Sequence, residues 1–167
     1  EAFERFLKDI SANMLLNQQS IVEAKKLQKF ESDKKSNGLN KSDAMFWRTY
    51  FDYHYKKNRD KLKFLRKICP DIAKAENNNN REINLNDWFP VVEEVRNSAT
   101  HSNFRIETNR MKNWSKEKRE ILKKYFYGDS NDEGYQLNIS IESATFCLEL
   151  FSEYSFQIYK YLSVLNN

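Results

Sequence analysis

Three glycines and two prolines in 167 residues leave this chain few ways to reverse direction tightly. An all-β fold needs many tight turns, and tight turns draw on Gly for left-handed φ and on Pro for a pre-set one. The chain therefore reads as mainly α-helical. Charged residues make up 31%, mostly Lys and Glu, which suits helices with solvated outer faces. A hydrophobic share of 40% is enough for a packed core. The length suits a single helical domain over residues 1–167.

Apolar periodicity divides the chain. Phe3, Phe6, Leu7, Ile10 and Met14 recur at helical spacing, and Ile21, Ala24 and Leu27 carry the pattern less cleanly, so one helix is expected from residue 3 to about 30. Residues 34–42 form a polar loop holding the turn pair Asn37–Gly38. A second long helix is expected from Ser42 or Asp43 to Cys69, with Phe46, Tyr50, Tyr53, Leu62, Leu65 and Ile68 on its apolar face. Pro70 should end it, because proline disfavours helix in the residue before it. A short helical piece and the solvated run Asn77–Asn80 follow. A third main helix opens near Asn86 or Asp87, tolerates Pro90 in its first turn, and runs to about His101.

Phe104 and Ile106 alternate with polar neighbours, as do Tyr135, Leu137, Ile139 and Ile141, so the two stretches can pair as a small β-ribbon. Between them Ser115 caps a helix over Lys116–Tyr127 that Gly128 stops, and Asn131–Gly134 is a turn. A last helix runs from near Ser140 to Leu165. It is apolar over much of its circumference, which predicts a central place in the bundle. The expected fold is an all-α bundle of roughly four or five main helices, with a small β-ribbon after the third.

The net charge of +4 is compatible with a nucleic-acid partner and equally with a Lys-rich solvated surface. The basic tracts Lys56, Lys57, Arg59, Lys61, Lys63, Arg66, Lys67 and Lys116, Lys118, Arg119, Lys123, Lys124 lie on no narrow face, so they read as solvated surface first and RNA contacts second. Two distant cysteines, Cys69 and Cys147, exclude a disulfide scaffold and point to a reducing, cytoplasmic compartment; Cys147, among Phe146, Leu148 and Leu150, reads as a core thiol. No apolar run approaches the roughly 20 residues that span a bilayer, and no signal-peptide pattern is present. The chain opens on Glu1 rather than Met, which leaves room for a longer parent protein. Two histidines and no CxxC pair provide no zinc set, and no phosphate-binding glycine loop exists, so neither metal nor cofactor is expected. His54, inside Tyr50–Tyr55, reads as a packing or solvent-facing residue rather than a metal ligand.

The third helix carries the candidate chemistry. On a wheel of about 100° per residue, Trp88, Val91, Val92, Val95 and Ala99 form one stripe, expected to pack on the first and last long helices. Arg96 flanks the stripe and Asn97 points away from it. His101 falls about 40° from Asn97 and about 140° from Arg96. His101 is thus no core histidine on this reading. It is either a surface residue that the helix macrodipole favours or a functional group.

The string Arg96–Asn97–Ser98–Ala99–Thr100–His101 resembles the motif of the HEPN superfamily: an Arg, a polar residue after it, and a His four to six positions beyond the Arg. Its setting matches as well, at the C-terminal end of an amphipathic helix with a long helix further on. The resemblance implies a metal-independent endoribonuclease with Arg96, Asn97 and His101 at the active site and two copies of the motif meeting in a homodimer. His101 would move protons, since histidine's ordinary pKa of about 6.5 suits both directions. Arg96 would grip the scissile phosphate, and Asn97 would hydrogen-bond His101 or a phosphate oxygen. The wide angle between Arg96 and His101 makes a site within one copy awkward, and a two-fold axis relieves this. RNA would be the substrate, and an antitoxin or other regulatory protein a further partner, in a toxin–antitoxin or phage-defence setting. Two alternatives stay open: a non-catalytic HEPN-like interaction module, and an unrelated helical nucleic-acid-binding domain that uses the basic tracts.

Overall fold

Helices dominate because the apolar residues keep helical spacing almost throughout: 71% of the described residues are helical. The computed structural model describes residues 2–33, 35, 37–79, 81 and 83–165. The elements run α1 (Ala2–Asn17), a 3-10 turn (Gln19–Ile21), α2 (Ala24–Ser32), α3 (Ala44–His54), α4 (Asn58–Ile68), α5 (Pro70–Asn77), α6 (Leu85–His101), β1 (Arg105–Glu107), α7 (Thr108–Met111), α8 (Lys116–Tyr125), β2 (Gly128–Asn131), β3 (Gly134–Leu137) and α9 (Ile141–Leu165). The described residues hold nine α-helices where four or five main ones were expected, and the ribbon is a three-stranded sheet. No helix among them is long and apolar enough to cross a membrane. Two compact units emerge, one of residues 1–75 with 155–167, the other of residues 76–154.

In the first unit both long helices of the sequence reading are broken. The apolar period lapses over Asn17–Ser20, and the chain leaves α1 through the 3-10 turn into extended Val22 and Glu23 before α2. The second break falls at Tyr55–Lys57, where Lys57 is extended. There the carbonyl of Lys56, freed from helix pairing, accepts a hydrogen bond from Lys61 Nζ at 3.2 Å. Cys69 is extended before Pro70, which supplies the first residue of α5 rather than a long stop. The core is aromatic. Phe30 of α2 meets Phe46, Tyr50 and Tyr53 of α3 edge-on at 5.4, 5.5 and 5.5 Å. α1 packs on α3 and α4, and its Leu7, Met14 and Leu15 are buried. Asn37 and Gly38 are both left-handed, as a turn pair requires; Lys34 and Ser36 of the expected loop lie outside the described residues.

Two sequence assignments, those of Lys61 and of the core thiol, are overturned. Lys61 belongs to a tract expected at the surface, yet it is 0% exposed. Its ammonium lies 3.9 Å from Glu4 and Asp52, and burial holds its pKa below the ordinary lysine value. The core thiol is Cys69, at 3% exposure, and not Cys147, which is half-buried and titrates at about 11 because burial disfavours its thiolate. From α9 this unit buries Ile158 and Leu162, while Phe156 and Tyr159 stand 61% and 58% exposed.

The second unit is organised around α6. Asn84 caps it, its Oδ1 accepting from the N–H groups of Asn86 and Asp87 at 2.9 and 3.2 Å. The cap starts the helix earlier than expected and puts Pro90 inside it, beyond the first turn. Asn79 and Asn77 hold the approach: Asn79 accepts from Arg81 N–H, and Asn77 accepts from Asn84; Asn77 and Asn78 are exposed, as expected of a solvated run, and Asn80 lies outside the described residues. α6 packs on α8 and β1, and Trp88 and Phe89 meet Phe151 of α9 at 4.9 and 6.2 Å. β1, β3 and β2 form an antiparallel sheet in that order, with Ile106 opposite Tyr135. Gly128, expected only to stop a helix, opens β2, because a Cβ there would stand 2.0 Å from the carbonyl oxygen of Gln136. The α9 residues of this unit are not apolar-buried all round: Leu150 and Tyr154 are buried, whereas Ile141 and Leu148 are 87% and 68% exposed.

Candidate functional site

Along its length α6 has one buried face and one open face. Leu85, Trp88, Val91, Val92, Val95 and Ser98 are buried, so the stripe continues through Ser98 and leaves Ala99 half-exposed. Ser98 can sit there because its hydroxyl donates to the Val95 carbonyl at 2.7 Å, which removes the cost of a bare buried hydroxyl. Arg96, Asn97 and His101 lie off this face and are exposed.

The helix end is tied down at several points. Thr100 Oγ1 donates to the carbonyls of Arg96 and Asn97, both at 3.1 Å. The N–H groups of Ser102 and Phe104 converge on the Ser98 carbonyl at 3.0 and 2.9 Å. Closing the helix in this way puts two successive residues, Asn103 and Phe104, in the left-handed region at φ 48° and 61°. Asparagine tolerates that region; a bulky phenylalanine does not, at a cost of about 1–3 kcal/mol. The surroundings hold it in place. Leu137 N–H donates to the Phe104 carbonyl at 2.8 Å, and Gln136 Nε2 donates to the carbonyl of Asn103 at 3.2 Å. The residues just after α6 are therefore clamped to β3, which fixes the backbone immediately past His101.

Charge is distributed unevenly around this end. Arg105 pairs with Glu133, and Arg110 pairs with Glu94 at 2.6 Å. On α8, Lys116 and Lys118 face Glu120 and Asp87 at 3.7 and 3.8 Å, and Arg119 donates to the carbonyls of Met111 and Lys112. Most of the second basic tract is therefore occupied. Arg96, by contrast, has no carboxylate within ion-pair distance among the described residues, and neither Asn97 nor His101 has its side chain held by a hydrogen bond there. Three polar side chains of one helix end stand free, while the cations beside them are neutralised. Three residues past His101, Phe104 is 41% exposed, and with Ile139, 39% exposed, it lines a shallow depression of about 310 Å³.

Phe104 and Gln136, which brace the helix end, carry no local sequence signal. Their role comes from left-handed φ and from strand pairing, neither of which periodicity reveals. No group of three or more His, Cys, Asp and Glu side chains among the described residues could hold a metal ion. No protein-family model matches the chain, and no characterised protein or solved structure matches it either.

Proposed function

We propose that the chain is a HEPN-like, metal-independent endoribonuclease that acts as a homodimer. The observation that carries this reading is the open end of α6, where Arg96, Asn97 and His101 are exposed and uncommitted on a backbone braced against β3. A cation without a counter-ion is available to a phosphate, and an imidazole without a partner is available to a proton. Arg96 would hold the non-bridging oxygens of the scissile phosphate. His101 of one copy would take the proton of the ribose 2′-OH as its oxygen attacks phosphorus, and His101 of the second copy would protonate the departing 5′-oxygen. The products would be a 2′,3′-cyclic phosphate and a 5′-hydroxyl. An effector role controlled by an antitoxin or similar regulatory protein follows from the family resemblance alone.

The test is wild type, Arg96→Ala and His101→Ala against a mixed RNA pool, with and without EDTA. Each substitution is expected to lower cleavage by about 10²–10⁴-fold. EDTA should leave cleavage intact, and 2′-deoxyribose at the scissile position should stop it. Cleavage that persists undiminished in both variants places the chemistry elsewhere.

The exposed pair Phe104 and Ile139 favours a second reading, an interaction module in which the same helix end docks a protein. Light scattering at micromolar concentration separates the two. A homodimer that cleaves RNA supports the nuclease, and a monomer inert toward every RNA offered supports the module.

A further inference from the structure

The first unit contains a cavity of about 410 Å³ between α2, the end of α3 and one face of α4. Its volume lies in the range of small-molecule sites, about 300–1,000 Å³. Its inner wall is aromatic. Tyr50 and His54 pack at 4.6 Å, and Tyr55 and Phe64 at 4.8 Å. His54 is fixed there because its Nε2 donates to the Lys26 carbonyl at 3.1 Å. Its ring orientation is therefore set before any ligand arrives.

The rim is cationic. Lys26, Lys63 and Lys67 line it, against Glu23 and Asp60. Glu23 is already shared by Lys26 at 3.2 Å and Lys67 at 3.6 Å. Lys63 has no ion pair among the described residues. The face of α4 that lines the cavity carries Asp60, Lys63, Phe64, Lys67 and Ile68, which are positions i, i+3, i+4, i+7 and i+8 of one helix. Lys63 and Lys67, four residues apart on one helix, repel, and Glu23 offsets only the Lys67 charge. A bound anion would reverse that balance. Asp60 adds one acceptor, suited to a ring N–H or an exocyclic amine.

We propose that this cavity binds a small ligand made of a flat aromatic ring joined to an anionic group, the chemistry of a nucleoside monophosphate. The ring packs against Tyr55 and Phe64, and the phosphate rests between Lys63 and Lys67. This site is separate from the α6 motif and does not depend on the nuclease reading.

Calorimetric titration of the intact chain with AMP and UMP tests it, with adenosine, uridine and inorganic phosphate as controls. Saturable binding of at least one nucleotide is expected, tighter by at least tenfold than binding of its nucleoside or of phosphate. Lys63→Glu, at an exposed position that leaves the core untouched, should weaken it by at least tenfold, and Lys63→Arg should retain it. Phe64→Ala should weaken it too, in protein shown to be folded by circular dichroism. Arg96→Ala with His101→Ala should bind as wild type does. No saturable binding of either nucleotide by folded wild type, equal binding of nucleoside and nucleotide, or full binding by Lys63→Glu would each overturn the proposal.

Discussion

His54 and His101 are the two histidines of the chain, and their surroundings differ in every respect that matters to chemistry. His54 sits half-buried in an aromatic cluster, 4.6 Å from Tyr50, 4.7 Å from Tyr53 and 6.5 Å from Phe30, with its Nε2 committed to a backbone carbonyl. Burial holds its pKa below the ordinary histidine value. His101 is exposed on the last turn of α6 with no partner for its ring among the described residues. Packing has committed Nε2 of the first imidazole and left the second without a partner among the described residues. A residue type alone does not mark a reactive group; what its neighbours leave unclaimed does.

The largest effect that sharpens this contrast comes from below His101. Val95, 5% exposed, belongs to the buried face that holds α6 in place. Val95→Asp should unfold or aggregate the protein, losing on the order of 3–5 kcal/mol through an uncompensated buried charge. Urea melts followed by circular dichroism read this directly. Wild-type stability in that variant would mean that the motif face has been misassigned.

His54→Ala should cost less, about 2 kcal/mol, because it hollows a partly open aromatic cluster. The same residue makes stability depend on pH. Its folded-state pKa lies below its unfolded value of about 6.5, so the unfolded chain takes up the proton first. His54's share of the stability is therefore full above that value and is lost as pH falls from it toward the depressed folded pKa. His54→Phe should flatten this part of the stability profile. Thermal melts of wild type and His54→Phe between pH 5 and 7 read this. A profile in His54→Phe as steep as that of wild type would remove His54 as its source.

Phe104→Gly should stabilise the second unit by about 1 kcal/mol, since glycine adopts the left-handed region without strain. If cleavage falls in this variant while its melting point rises, the turn serves to aim His101 rather than to hold the fold. The smallest change is expected where the proposed chemistry lies. Arg96→Ala and His101→Ala should each alter stability by no more than about 0.5 kcal/mol, because neither side chain fills core space. A loss several times larger in either would mark it as structural.

Much of the architecture was legible in the residues. Turn scarcity indicated helices, the period of Trp88, Val91, Val92 and Val95 indicated which face of α6 is buried, and Ser115 marked the start of α8, where its hydroxyl accepts from Lys118 N–H. The outward facing of Arg96, Asn97 and His101 follows from the same 3.6-residue repeat. These features are local, so spacing along the chain is sufficient to specify them.

What only the tertiary structure decided depends on groups far apart in sequence. Lys61 is buried because Glu4 and Asp52 come within 3.9 Å of its ammonium, which no run of basic residues announces. The third strand exists because Gly128 lets β2 approach the Gln136 carbonyl, and the two long helices break where backbone carbonyls and extended residues find other partners. The freedom of His101 and the engagement of His54 belong here as well. Each is a statement about neighbours brought in by folding, and a single sequence carries periodicity without carrying the identity of those neighbours.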